Sequence, residues 1–210
     1  MITPRDLAHA LPRSRPFSSP DWLFELKFGG FRALALRQET GVRLLTRHGS
    51  DLTVAFPEVA TALKALPERT ALDGELVILD ADGRPQFEHL GRAWLTSASA
   101  IKAASRRRPA TLMAFDILVC AGVDVRSSPI ELRKRWLAER VGKGRLLRPV
   151  LPIEAHGNRL YSEAVALKLE GIVAKRKGSR YRAGRTDDWL KIKTPHGREV
   201  EAKRVARLRT

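Results

Sequence analysis

Thiol and metal-binding chemistry have little support in this sequence. Cys120 is its single cysteine, which excludes an internal disulfide and a metal site built from several thiolates. It lies in an apolar run typical of a buried strand, where a thiol is normally inert. The five histidines are scattered without a pair at ligand spacing, so a zinc site is not expected.

Long apolar runs are also missing. No stretch is long enough to span a bilayer, and residues 1–20 lack the apolar core of a signal peptide. We therefore expect a cytoplasmic protein with no membrane partner. A hydrophobic content of 43% over 210 residues is nevertheless sufficient for one substantial core.

Acidic residues are few relative to basic ones. Thirty-nine Lys and Arg against 23 Asp and Glu give a formal net charge of +16, which favours a polyanionic partner such as nucleic acid. The excess is clustered at 106–108, at 175–185 and after 191. Because the charge is clustered, we favour contacts to a phosphate backbone over an unspecialised basic surface.

The hydrophobic pattern predicts an α+β fold with largely antiparallel sheets flanked by helices. Strands are expected within 21–47, 70–79, 112–119, 150–153, 171–175 and 189–193. Helices are expected at 51–66, 86–93, 130–141 and 161–169, with a mobile basic loop before 110. We divide the chain into an N-terminal arm (1–20), one domain (21–195) and a basic C-terminal tail (196–210).

The segment 25–32, Glu-Leu-Lys-Phe-Gly-Gly-Phe-Arg, reads as a turn between two strands. Gly29 and Gly30 allow a sharp bend and the close approach of a ligand. Lys27 then stands at a strand end, and Arg32 adds a permanent set of donors. The pattern suggests a lysine nucleophile that meets a phosphate, although an ordinary solvated turn has the same composition.

Two other predicted strands carry charge on one face. Asp73 and Glu75 alternate with leucines, and Lys191 and Lys193 alternate with Leu190 and Ile192. A lysine nucleophile must lose its proton, and cations nearby favour the neutral amine. The same cations would hold a triphosphate. Two further side chains have expected roles, a magnesium contact for Glu170 and base stacking for Phe115.

Six collinear motifs then resemble those of the ATP-dependent DNA ligases, and in particular the nucleotidyltransferase (adenylation) domain of bacterial end-joining ligases. They are Glu25–Arg32, Thr46–Asp51, Leu72–Val77, Phe115–Asp116, Glu170–Lys175 and Trp189–Lys193. The resemblance covers roughly residues 20–195. It implies the ligase and mRNA-capping type of nucleotidyltransferase fold, built around a nucleotide cleft.

The resemblance implies a three-step reaction with ATP and Mg²⁺ (or Mn²⁺). Lys27 would form a lysyl-AMP intermediate, AMP would pass to a DNA 5′-phosphate, and a 3′-hydroxyl would displace it. This implies a role in DNA repair and recombination at the bacterial nucleoid. The implied nucleotide contacts are Glu25, Lys27, Arg32, Glu75, Phe115, Lys191 and Lys193. The implied DNA contacts are Arg32 and Arg47, to which we add Lys175 and Arg176 from the basic segment at 175–185. The implied metal contact is Glu170, to which we add Glu75.

The sequence departs from the family pattern in two ways. The first motif of the family is Lys-x-Asp-Gly, and Gly29 stands at its Asp position. Family ligases also continue into an oligonucleotide-binding (OB) barrel, whereas this sequence has 17 residues after Lys193. We therefore expect no OB domain here, and a separate OB-containing or end-joining protein as a candidate partner beside nicked or broken DNA.

Two alternatives to a sealing enzyme remain at this stage. One is a nick- or end-binding module that derives from a ligase and has lost its chemistry, which Gly29 favours. The other is nucleotide transfer to RNA ends, as in RNA ligases and capping enzymes. The amino-acid sequences of the motifs at 170–175 and 189–193 are closer to those of the DNA ligases, so we rank the RNA reaction last.

Overall fold

The computed structural model describes residues 2–142 and 144–207. These residues form two β-sheets that pack face to face, with helices on their outer sides. The strands are β1 Ala8–Pro12, β2 Ser19–Lys27, β3 Phe31–Gln38, β4 Gly41–Thr46, β5 Thr70–Ile78, β6 Ala110–Cys120, β7 Val123–Asp124, β8 Leu147–Pro149, β9 Ile153–Ala155, β10 Gly171–Arg176 and β11 Gly184–Lys193. The helices are α1 Pro57–Leu63, α2 Ala98–Arg107, α3 Ile130–Val141, α4 Gly157–Ala166 and α5 Pro195–Arg207, with short 3-10 segments at Pro4–Asp6 and Phe87–Trp94.

The two sheets draw on different parts of the chain. A five-stranded sheet has the order β1-β11-β10-β2-β9, and a six-stranded sheet has the order β4-β3-β5-β6-β7, with β8 beside β6. Pairing is antiparallel except between β1 and β11 and between β6 and β8. The predicted α+β class with largely antiparallel sheets is confirmed.

The alternation of side chains along the strands explains how the layers pack. In β3, Leu34 and Leu36 enter an apolar cluster between the sheets together with Trp189. Ala33 and Ala35 face the opposite side, in the core beneath α1 and α3. Helix α4 covers the outer face of the five-stranded sheet. Each sheet is therefore buried on both faces over much of its area.

Five helices and strands fall where the pattern predicts none. They include the short strands β7 and β8, which lie outside the predicted strands at 112–119 and 150–153. Strand β1 lies within the predicted arm, and α5 begins one residue before the predicted tail, of which residues 208–210 are outside the described part. Helix α2 replaces most of the predicted mobile loop. Its signals are the N-cap Ser97, whose side chain accepts a hydrogen bond from the Ala100 N–H, and four alanines. Arg106 and Arg107 end this helix, where cations favour its dipole.

A fully buried ion pair joins α3 to β6. Arg133 donates to both carboxylate oxygens of Asp116, at 2.8 and 3.1 Å, and to the carbonyl oxygens of Ser128 and Ser179. Both charged side chains are 0% exposed. Burial raises the pKa of a carboxyl group, but the Arg133 guanidinium outweighs that effect and keeps the pKa of Asp116 low. The pair ties α3 to the six-stranded sheet and to the loop after β10.

We expect replacement of Gly30 with alanine to destabilise the turn that carries the first motif. A Cβ atom at Gly30 would stand 2.1 Å from the Leu76 carbonyl oxygen and 2.9 Å from Val77 Cγ1, so β3 would have to move away from β5. Overpacking of this kind lowers the free energy of unfolding by about 1–3 kcal/mol. Denaturant titration measures this loss, with Gly41→Ala as the control, because a Cβ atom there meets nothing within 4 Å. Equal stability of the two variants would contradict the prediction.

Candidate functional site

Lys27 and Glu170 meet at the edge where β2 and β10 pair. Lys27 ends β2 and lies opposite Gly171, the first residue of β10. Glu170 immediately precedes that glycine, and its Oε1 lies 2.6 Å from Lys27 Nζ. A side chain at Gly171 would collide with the Ile192 carbonyl oxygen at 2.2 Å, so the glycine permits this close packing of β10 and β11. The predicted nucleophile and the predicted metal contact are thus direct neighbours.

Glu75 lies beside this pair. It is opposite Arg32 in the register of β3 and β5, and its Oε1 accepts a hydrogen bond from the Gly30 N–H at 2.9 Å. Burial raises the pKa of Glu75 to about 7; the negative charge of Glu170 adds to the effect, while Lys27 and Arg32 oppose it. The first motif and the strand at 70–78 therefore share one polar cluster.

The raised pKa of Glu75 predicts that this residue makes stability fall as pH increases. An unfolded Glu75 ionises near pH 4.5, whereas the folded one holds its proton until about pH 7. Between these values the native state binds more protons than the unfolded state, so its free energy of unfolding decreases. Glu75→Gln removes the titration and keeps an acceptor for the Gly30 N–H.

Denaturant titrations across pH 4 to 8 compare this variant with the unsubstituted protein. The stability advantage of Glu75→Gln is expected to grow from about pH 4.5 to pH 7 and then level off. A difference that stays constant over this window would contradict the assignment.

Arg32 is held rigidly by Asp73. The guanidinium donates to both Asp73 oxygens, at 3.0 and 2.6 Å, and Tyr181 donates its hydroxyl proton to Asp73 Oδ2 at 2.5 Å. Burial disfavours the charge of Arg32, but Asp73 more than offsets this effect, so the pKa of Arg32 is raised. The Tyr181 hydroxyl also accepts a hydrogen bond from the Ala8 N–H. Asp73 is accordingly a fully buried counter-ion rather than a residue on a solvated strand face.

Two residues of this cluster, Tyr181 and Lys134, were not among the predicted site residues. Glu25 is 2% exposed and forms ion pairs with Lys134, on α3, and with Lys175, whose Nζ lies 2.9 Å from Glu25 Oε2. Burial lowers the pKa of Lys134 to about 8, a shift that Glu25 opposes and Lys175 increases. Both lysines are partners of a carboxylate in a different element, which spacing along the chain does not reveal.

Lys175 does not lie where a DNA contact requires it. Its side chain is 1% exposed, donates to the Phe115 carbonyl oxygen at 3.0 Å and lies over the Trp189 ring at 4.1 Å. We predicted it as a DNA contact because it begins the basic segment at 175–185. It is instead buried against Glu25 and beside Phe115, since β10 is the middle strand of its sheet.

Lys193 and Lys191 line the same edge of the five-stranded sheet. Lys193 Nζ is 4.0 Å from Glu170 Oε1, and Lys193 also forms an ion pair with Glu201 of α5. Burial lowers the pKa of Lys191, and Lys193 and Lys27 lower it further. Lys191 is therefore within electrostatic reach of both Lys193 and Lys27.

The remaining predicted DNA contacts are on the surface. Arg47 is exposed and near enough to Lys191 to lower its pKa, whereas Arg176 pairs with Asp188 at 3.3 Å and lies over Trp22. His9 of β1 is a further neighbour that the sequence analysis missed. Burial and the nearby Arg32 and Arg47 lower the pKa of His9.

The arrangement suits a phosphate ligand better than a preformed metal site. Within the described ranges, no three His, Cys, Asp or Glu side chains come together as a metal site. Glu170 forms an ion pair with Lys27, and the charge of Lys27 acts on the pKa of Glu75. Mg²⁺ is commonly held by one or two carboxylates together with substrate phosphates and water, so these two residues fit a metal that arrives with a nucleotide.

None of the described helices has the length and apolar character needed to cross a membrane.

Comparison with known proteins identifies relatives over most of the chain. The family profile described as "ATP dependent DNA ligase domain" matches residues 7–193. The multifunctional non-homologous end joining protein LigD of Pseudomonas aeruginosa is 37% identical over 177 residues, which are 82% of this chain and 20% of that protein. The bifunctional LigD of Bacillus subtilis is 32% identical over 198 residues, 86% of this chain and 32% of that protein. The chain therefore spans a third or less of these two relatives.

Solved structures agree with the sequence matches. A mycobacterial DNA ligase D complexed with ATP and MES superposes with a TM-score of 0.72 at 26% identity, over 90% of this chain and 60% of that one. The ligase domain of Mycobacterium tuberculosis LigD gives 0.70 at 26% identity, over 89% and 59%. The DNA ligase of bacteriophage T7, in complex with ATP, shares the fold at 16% identity, with a TM-score of 0.66 over 92% and 70%.

The nucleotidyltransferase fold that the motifs implied is thus confirmed. The family profile covers the segment from β1 to the end of β11, which contains every predicted site residue. The chain belongs to the ATP-dependent DNA ligase domain family.

Proposed function

We propose that this domain transfers the adenylyl group of ATP to Lys27 and then to a 5′-phosphate of DNA, in nick sealing or DNA repair. The observation that carries the proposal is the placement of Lys27. It stands at a strand end with Glu170 Oε1 at 2.6 Å, and Lys193 Nζ lies 4.0 Å from the same oxygen. Lys191 and Arg32 are nearby. Attack on a phosphate requires a nucleophile, a carboxylate beside it and several cations, and all of these meet at this sheet edge.

In the first step the neutral Lys27 amine attacks the α-phosphorus. Lys27 first gives one ammonium proton to Glu170, at 2.6 Å, or to water. A nitrogen–phosphorus bond then forms, the bond to the bridging oxygen breaks, pyrophosphate leaves, and the nitrogen releases a second proton to water. Lys191 and Lys193 offset the charge that develops on the phosphate oxygens. Arg32 donates hydrogen bonds to both carboxylate oxygens of Asp73, which fix its orientation. It is therefore a preorganised donor for the same phosphates or for the DNA 5′-end.

The nucleobase is proposed to lie between Phe115 and the residues around Glu25, and Glu75 is proposed to bind the ribose. Phe115 has Arg32 and Lys175 over its ring, at 5.3 and 4.8 Å, so its position is fixed from two strands. Lys175 is assigned a supporting role here instead of a DNA contact, because its ammonium group joins Glu25 to the Phe115 backbone.

Mg²⁺ or Mn²⁺ is proposed to bind with the nucleotide at Glu170 and Glu75. When bound, a divalent cation neutralises phosphate charge and orients the leaving group. The negative charge of Glu170 raises the pKa of Glu75, and this effect supports a shared metal contact for the two carboxylates.

Nicked or broken duplex DNA is the proposed partner, through Arg47, Arg176 and Arg32, within the bacterial nucleoid. The net charge of +16 supports a polyanionic ligand. The names of the LigD relatives associate those proteins with end joining. We propose the same context here, with a separate end-joining or OB-containing protein as a candidate partner.

Intact mass spectrometry tests the proposal directly. Incubation with ATP and Mg²⁺ is expected to add one adenylyl group, which pyrophosphate removes, and peptide mapping is expected to place it on Lys27. Absence of the adduct, with nicked DNA still bound, would favour a binding module without chemistry. That second candidate rests on Gly29, which leaves the first motif without its family carboxylate.

A further inference from the structure

Helix α5 lies outside the segment that the family profile matches, yet its first turn packs against the active edge. Thr194 donates its hydroxyl proton to the Leu169 carbonyl oxygen at 2.6 Å and its N–H to the Glu170 carbonyl oxygen at 3.1 Å. The Gly197 N–H donates to Thr194 Oγ1 at 3.0 Å. A Cβ atom at Gly197 would stand 2.0 Å from the Glu170 carbonyl oxygen, so a glycine is needed at this contact. The start of α5 is thereby fixed on the backbone of Glu170.

One turn later the helix presents an acid to the same edge. Glu201 follows Gly197 by four residues and lies on the same helix face. Its Oε1 forms an ion pair with Lys193, the lysine whose Nζ is 4.0 Å from Glu170 Oε1. The hydrogen bond from Lys193 lowers the pKa of Glu201, and Lys191 and Lys27 contribute to the shift. Glu201 is therefore ionised at neutral pH and faces all three lysines.

The side chains at this contact differ in exposure. Lys193 is 14% exposed, whereas Glu201 is 55% exposed. The lysine is thus fixed in the site, and the glutamate reaches it from the solvent side. A side chain in this position can turn away without leaving a buried charge unpaired, while the anchored first turn of α5 keeps it close enough to return.

We propose that Glu201 is an internal anion that occupies the phosphate-binding position on Lys193, so that a nucleotide must displace it in order to bind. The inference rests on the proposed function, which assigns Lys193 to a nucleotide phosphate. It adds that the affinity for nucleotide is set by competition with a residue of α5.

Calorimetric titration of the full chain with inorganic pyrophosphate and with ATP tests the competition. Glu201→Gln keeps the size of the side chain and removes its charge. It is expected to bind both ligands about 2- to 5-fold more tightly, which is the scale of a partly exposed ion pair. The matched control is Glu199→Gln, which makes the same change of net charge at an exposed position of α5 and is expected to bind as the unsubstituted protein does.

A second comparison separates a direct contact from a general charge effect. In a Lys193→Gln background, Glu201→Gln is expected to change pyrophosphate affinity by less than about 1.5-fold, because the partner of the glutamate is gone. Equal affinities for Glu201→Gln and Glu199→Gln would overturn the proposal. Weaker binding by Glu201→Gln would also overturn it, since the carboxylate would then assist the ligand.

These titrations fail independently of the proposed reaction. If Glu201→Gln binds pyrophosphate more tightly but no variant forms an AMP adduct, the competition stands and the proposed reaction does not. If an adduct forms and the two glutamate variants bind alike, the reaction stands and the competition is excluded. Absence of pyrophosphate binding by every variant would overturn the competition as well.

Discussion

Lys27→Arg is expected to abolish the AMP adduct completely. Arginine keeps the positive charge beside Glu170, but its guanidinium does not lose a proton at neutral pH and cannot act as the nucleophile. Binding of nucleotide should persist, since the cations at 191 and 193 are unchanged. The measurement is intact mass after incubation with ATP and Mg²⁺, with ATP affinity determined in parallel.

Lys191→Arg is the matched control for that experiment. It makes the same chemical change on the same sheet edge, at a lysine proposed to bind phosphate without forming a bond to it. We expect the adduct to form in this variant, at a reduced rate. An adduct on Lys27→Arg, or equal loss of the adduct from both variants, would contradict the assignment of the nucleophile.

Arg133→Met is expected to lower the free energy of unfolding by about 3–5 kcal/mol, the range for breaking a buried ion pair by removal of one partner. Methionine retains much of the length of the side chain, so the loss comes mainly from polar groups left without a donor. Asp116 would lose its counter-ion in a site that is 0% exposed, and the Ser128 and Ser179 carbonyl oxygens would each lose a hydrogen bond.

Denaturant titration measures this loss, and Arg43→Met provides the comparison. Arg43 and Asp51 lie 3.1 Å apart but are 48% and 43% exposed, so water replaces the lost partner. Such pairs contribute about 0–1 kcal/mol. If the two substitutions cost the same, burial of the Arg133–Asp116 pair would not be the source of its stability.

Local patterns predicted the strands that carry the site better than the contacts between them. The alternation at 72–76 and 189–193 has a period of two, which fixes the strand and the face of each residue. The sequence also predicted the turn at 27–30 from its glycines, but the close contact of Gly30 with Leu76 of β5 is visible only in the structure. The meeting of Lys27 with Glu170 follows only once β2 pairs with β10, a pairing that no local pattern reveals.

The residues that sequence reasoning missed belong to contacts between distant elements. A charged partner on another element contacts each of three residues, Lys134, Tyr181 and Glu201. A single polar side chain gives no sign of such a partner in the sequence. Lys175 was misassigned for the same reason. Its neighbours in sequence are exposed cations, but its neighbours in space are Glu25 and two aromatic rings. The functional roles of these residues stay predictions until the variants are measured.

The order of strands in the five-stranded sheet has a consequence for how the protein is made. This sheet joins residues 8–27 to residues 153–193, and β1 lies at its edge, paired with β11. A chain leaving the ribosome can form the hairpin of β3 and β4 early, because that contact closes a short loop. Strand β2, which ends at Lys27, cannot pair with β9 or β10 until more than a hundred further residues are synthesised. During that interval β2 exposes an unpaired edge, so the nascent chain is most prone to misassociation before the sheet edge around Lys27 is complete.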